Sequence, residues 1–127
     1  MKNYFLDNSA IQFLNEKLKL PSTGREQDWE FELSNASRIH EFLVFYIKNS
    51  LTKEQKRALV ALLLSTYEDY LQENADIDSS IWKDLELILR SEPEIFREII
   101  DYWSVWGEVE EDNFFILTKR IRNIEYK

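Results

Sequence analysis

Apolar residues recur three and four positions apart through most of this chain, the spacing that puts side chains on one face of an α-helix. Asp7, Asn8 and Ser9 offer oxygen acceptors to free amides ahead of Ile11, Leu14 and Leu18, which predicts a first helix to about Leu20. Pro21, Ser22, Thr23 and Gly24 then mark a loop, with Asp28 placed to cap the next helix. Over residues 29–48, Trp29, Leu33, Ile39, Phe42, Leu43 and Tyr46 fit one helical face, and Ser34 with Asn35 leaves open a break near its start.

Thr52, Lys53, Glu54 and Gln55 have the form of a capping box, in which side chain and backbone satisfy each other's free donors. The helix after it carries Leu59, Leu62, Leu63, Tyr67, Tyr70 and Leu71 on one stripe. Val60, Ala61 and Leu64 make its middle apolar nearly all round, so it is expected to be the central, most buried helix. Residues 76–80 supply several caps ahead of Ile81, Trp82, Leu85, Ile88 and Leu89, and Ser91, Glu92, Pro93 and Glu94 read as a second capping box at a helix corner. In the next helix Phe96, Ile99, Ile100 and Trp103 line one face and Glu94, Glu98 and Asp101 the other, with Gly107 expected to end it. Residues 114–117 fit an extended or a helical reading, and Thr118 is placed to cap a short last helix holding Ile121 and Ile124. The pattern predicts a single all-α domain over residues 1–127, a compact bundle of five to six helices with orthogonal or irregular packing.

Composition narrows the function classes. Apolar residues make up 44% of the 127 and aromatics 14%, with two glycines and two prolines, so a packed core is expected and disorder is confined to ends and loops. Cysteine is absent, which removes disulfides, thiolate nucleophiles and Cys-ligated zinc. Tyr4, Phe5 and Leu6 form an apolar patch that stops at Asp7, too short for an export signal, and residues 58–64 are too few to span a bilayer, which takes about 20. The expected setting is the cytoplasm, with no membrane association.

The net charge of -8 is unevenly spread. Residues 1–66 carry +1, residues 67–112 carry -12 and residues 113–127 carry +3. An acidic balance of this size repels phosphate backbones, so nucleic acid is not expected as a partner. Solvated helix faces account for much of this charge. Glu94 and Glu98, however, are like charges one turn apart with Asp101 three residues on, an arrangement that works against the helix and suits a basic partner. Glu108, Glu110, Glu111 and Asp112 extend that face if they fold beside it. Tyr102 and Trp106 frame the same helix end, where one or both are expected to stay partly exposed as anchors for an interface.

Familiar chemistry is scarce. His40 is the only histidine, and two glycines cannot build a phosphate-cradling loop. No cofactor or metal site is expected, and residues 74–78 lack the glycine and late glutamate of a calcium loop. Acid–base work by paired carboxylates would fall to Glu68, Asp69, Glu73, Asp76 and Asp78, whose spacing does not set them apart from a solvated helix end.

The layout from Tyr67, Glu68, Asp69 and Tyr70 through Pro93, Tyr102 and Trp103 to Phe115, Ile116, Leu117, Thr118, Lys119, Arg120, Ile121 and Arg122 resembles small helical immunity proteins of bacterial polymorphic and contact-dependent toxin systems. The resemblance implies neutralisation of a partner toxin, often a basic nuclease, by covering its site. The expected function is therefore a non-catalytic acidic protein-binding domain with a basic protein partner. A self-associating structural or scaffold subunit and a small carboxylate enzyme are the alternatives.

Overall fold

The computed structural model describes residues 2, 4–74 and 80–124. Among them the regular structure is helical, without β-strands, in the order α1 (Asn8–Lys17), α2 (Trp29–Glu32), α3 (Ile39–Lys48), α4 (Lys53–Glu73), α5 (Ser80–Ser91), α6 (Pro93–Ser104) and α7 (Thr118–Ile121). Single 3-10 turns lie at Ala36–Arg38 and Glu111–Asn113. The all-α bundle is as predicted. Its seven α-helical segments among the described residues exceed the expected five to six because residues 29–48 divide into α2, a single turn of four residues, and α3; the expected short last helix is α7, which holds Ile121 and stops before Ile124. No helix among the described residues is long and apolar enough to cross a membrane.

The central helix is α4. Residues 58–68 are buried without interruption because α1, α2, α3 and α6 all pack on it, and a helix covered on every side shows no amphipathic stripe. It starts at the predicted capping box, where Gln55 N–H donates to Thr52 Oγ1 at 3.1 Å and Thr52 N–H to Gln55 Oε1 at 3.0 Å. The break anticipated within residues 29–48 is present: Asn35 Oδ1 accepts from Ser37 N–H at 3.1 Å, and Asn35 N–H donates to Thr66 Oγ1 of α4 at 3.3 Å.

Other boundaries move for local reasons. The first helix closes at Lys17, short of Leu20, in a Schellman turn. Leu20 N–H reaches Asn15 O at 3.0 Å and Lys19 N–H reaches Glu16 O at 3.4 Å, with Lys19 left-handed at φ 52°. Glycine usually fills that position, since a Cβ there costs about 1–2 kcal/mol and glycine forfeits less than that in unfolded-chain entropy. Lys19→Gly is thus expected to stabilise the protein by about 0.5–1 kcal/mol, seen as a higher urea midpoint at unchanged slope. A lower midpoint would mean that Lys19 makes compensating contacts.

The second capping box does not form: α5 runs through Ser91, whose Oγ donates to Ile88 O at 2.6 Å, and Pro93 opens α6 with no side-chain cap. The caps expected of residues 76–79 lie outside the described residues. Gly107 does not end α6, which stops at Ser104 with Val105 left-handed at φ 50°; Gly107, at φ 91°, serves the turn beyond it.

Among the described residues two carboxylates are buried, Glu30 and Glu68. Glu30 accepts the Tyr4 hydroxyl at 2.6 Å and the Lys2 ammonium at 3.1 Å. Burial first, and the Glu30 contact second, push the Tyr4 hydroxyl well above its ordinary pKa. Glu68 of α4 accepts from the backbone N–H of Ile116 at 2.9 Å and of Leu117 at 2.8 Å. This carboxylate takes the capping place expected of Thr118, whose Oγ1 instead accepts from Phe115 N–H at 3.1 Å and donates to Trp103 O at 2.9 Å. Residues 114–117 are accordingly a turn, neither strand nor helix.

Candidate protein-binding surface

Helix α6 buries Ile95, Phe96, Ile99, Ile100 and Trp103 and turns Glu94, Glu98 and Asp101 to solvent. The three do not act alike. Glu98 lies 3.5 Å from the Arg57 guanidinium, which also donates to Ile95 O at 2.9 Å, so its charge is partly met within the chain. Glu94 sits at the amino end of the helix, roughly 10 Å along the axis from Asp101 at about 1.5 Å per residue. Asp101 alone reaches the far end, where its Oδ1 accepts from Trp106 Nε1 at 3.3 Å.

Tyr102 and Trp106 have opposite fates. The Tyr102 ring is half-buried, within 5.8 Å of the rings of Tyr4, Phe31, Trp103 and Phe115, and burial raises its hydroxyl pKa. These contacts fix α6 to the body and leave part of the ring in solvent. Trp106 remains 60% exposed.

The segment beyond Trp106 is held from beneath by Arg122. Its Nε donates to Ser104 O at 2.7 Å, and its Nη2 donates to Val105 O at 2.7 Å and Glu108 O at 3.1 Å, which satisfies carbonyls at the end of α6. The same guanidinium lies 4.3 Å from the Phe114 ring centre and 5.4 Å from that of Trp106. From the loop side, Glu108 folds back to accept from its own neighbours, Val109 N–H at 3.1 Å and Glu110 N–H at 3.0 Å. The Glu110 amide, with the Asn113 side chain next, holds the Glu108 carboxyl below its usual range.

With Glu108 turned inward, Val109 projects outward at 82% exposure. Glu110 and Asp112 are exposed and form no ion pair among the described residues, while Glu111 pairs with Lys119 at 3.2 Å. Ile116 is exposed beside them, and Glu111, Phe114, Ile116 and Lys119 line a hollow of about 310 Å³. Trp106, Val109 and Ile116 are therefore apolar knobs set among carboxylates on a backbone that is already fixed, an arrangement suited to a basic partner with apolar patches.

The structure thus joins Asp101 to Trp106 by a hydrogen bond and Glu108 to Trp106 through Arg122; Glu110, Glu111 and Asp112 follow Glu108 on the same exposed loop, Glu98 and Glu94 trail along α6, and Tyr102 is half-buried. Sequence reasoning missed Val109 and Arg122. An isolated valine inside an otherwise acidic run was a visible signal for the first; nothing local pointed Arg122 at carbonyls of another helix.

The carboxylates considered for acid–base work are dispersed in their roles. Glu68 caps the turn before α7, and Asp69 accepts the Ser34 hydroxyl at 2.5 Å. Glu73 lines, with Asp69, Ser34 and Asn35, an open hollow of about 440 Å³, while Asp76 and Asp78 lie outside the described residues. His40 is exposed on α3. No protein-family model matches this chain, and no curated protein or solved structure is found similar to it.

Proposed function

We propose that this chain is a non-catalytic binding protein of the cytoplasm that grips a basic protein partner with the surface formed by Asp101, Trp106 and the loop of residues 108–112. In its most specific form the partner is a toxin whose basic site is covered, which is how an immunity protein works. The observation that carries this reading is Trp106. It is a large aromatic left mostly in solvent, yet its ring edge is tied to Asp101 and Arg122 stacks on it, in a chain whose other tryptophans are buried. A side chain fixed in place and exposed binds with little entropy loss, and carboxylates crowded around it speed encounter with a positively charged protein.

The test uses the wild-type chain as bait, recovers the protein it retains, purifies that protein and measures binding as a function of salt. The expected result is a basic partner whose Kd rises with salt and increases at least tenfold on Trp106→Ala and on the double reversal Glu110→Lys, Asp112→Lys. Retention of an acidic partner, or affinity indifferent to both changes, would contradict the proposal.

A further inference from the structure

A second exposed apolar surface lies away from this loop. Helices α1 and α3 each pack on α4, and Arg38 bridges them by donating to Leu18 O at 2.6 Å, leaving a hollow of about 260 Å³ between them. Leu18, Val44 and Phe45 line it, Val44 is 46% exposed, and Ile47, one turn along α3, is 64% exposed. Lys17 and Lys48 stand at its rim with no ion pair among the described residues. The one carboxylate in the lining, Glu41, is held by the Arg38 guanidinium at 2.6 Å and 2.8 Å, so the rim is basic.

The chain carries the complement of this hollow. Val109 projects from the 108–112 loop with Glu110 next to it and Asp112 three residues on, an exposed apolar knob in an acidic run, whereas the hollow is an apolar recess with lysines at its rim. We propose that the α1–α3 hollow receives the 108–112 loop of a second copy of this chain, with Val109 entering between Lys17 and Lys48. Knob and hollow occupy different parts of the surface, so the contact is heterologous and joins copies head to tail instead of closing as a two-fold dimer. The net charge of -8 opposes association at long range, but salt screens it beyond about 10 Å, leaving the local pairing to decide. The same loop cannot serve a neighbour and a basic partner at once, so self-association would shelter the binding surface until a partner displaces it.

The experiment is light scattering coupled to gel filtration over micromolar to millimolar concentrations. The wild-type mean mass is expected to rise above the monomer with concentration. Lys17→Glu with Lys48→Glu removes the basic rim, and Glu110→Lys with Asp112→Lys removes the acidic knob; each double variant alone is expected to stay monomeric. Mixed in equal amounts, they are expected to associate into mixed species beginning with a heterodimer, because the intact loop of one fits the intact hollow of the other and the reversed loop, now basic, meets the reversed hollow, now acidic. Val44→Asp, which leaves every lysine and carboxylate in place, is expected to abolish association as well. A wild type that stays monomeric throughout, or a mixture without heterodimer, overturns the proposal. The lysine variant keeps the whole loop, so its capture of a basic partner reads the proposed function separately from self-association.

Discussion

Replacing Glu68 by alanine is expected to lower stability by about 3–4 kcal/mol, because its carboxylate accepts from two backbone amides at once and bonds to a charged group are worth about 1.5–3 kcal/mol each. A domain of this size holds on the order of 6–15 kcal/mol in total, so the variant loses a large share of it. Glu68→Gln keeps the shape and one oxygen acceptor, and a loss of about 1–2 kcal/mol is expected from it. Chemical denaturation measures both, and hydrogen exchange at the Leu117 amide localises the effect: it should accelerate in both variants, more in alanine. If alanine and glutamine both stay within about 1 kcal/mol of wild type, on the scale of a single weak hydrogen bond, the carboxylate is not the cap we describe.

Arg122→Ala is expected to cost about 2–3 kcal/mol, less than the sum of its three carbonyl bonds because the side chain is only part-buried and water replaces some of them. The more informative effect is on the surface it supports. Without the guanidinium, the carbonyls of Ser104, Val105 and Glu108 lose their shared donor and the Trp106 ring loses its stacked neighbour. Tryptophan fluorescence should shift, exchange should rise over residues 105–110, and affinity for a basic partner should fall although no acidic residue has changed. Arg122→Lys is expected to recover less than half of either loss, since one ammonium cannot span three carbonyls in a fixed fork. Unaltered exchange over the loop in the alanine variant would show that the loop holds its shape without Arg122.

Much of the fold was legible because it is decided locally. The start of α4 follows from Thr52 and Gln55, which need only each other, and the two faces of α6 follow from the order of Phe96, Ile99, Ile100 and Trp103 against Glu94, Glu98 and Asp101. The break after α2 was foreshadowed by Ser34 and Asn35, whose side chains compete with the helix for hydrogen bonds. Ser91 shows the limit of such signals. It has the cap's residue type and spacing, yet its hydroxyl turns back to Ile88 because α5 continues through it.

The candidate surface was legible in its charge and not in its shape. Tyr102 and Trp106 are four residues apart on the same helix end, and the sequence could not say which would be covered. Tyr4 and Phe31, brought from elsewhere in the chain, pack on Tyr102, whereas Trp106 lies past the left-handed turn at Val105 and is carried clear of them. Glu68 had the same ambiguity. In the sequence it is one carboxylate among several, and only the arrival of the 116–117 amides beside α4 makes it a structural group.

By itself the sequence determined that the chain is helical, where most of its long helices lie, which one is central, and that its negative charge is concentrated in residues 67–112. These depend on periodicity, capping and composition, which act over a few residues. Tertiary structure alone decided which polar groups are spent inside the protein, which aromatic is left in solvent, and that Val109 stands out from its acidic loop. Those outcomes depend on which distant backbone donors and acceptors meet when helices dock, and such meetings leave no periodic trace along the chain.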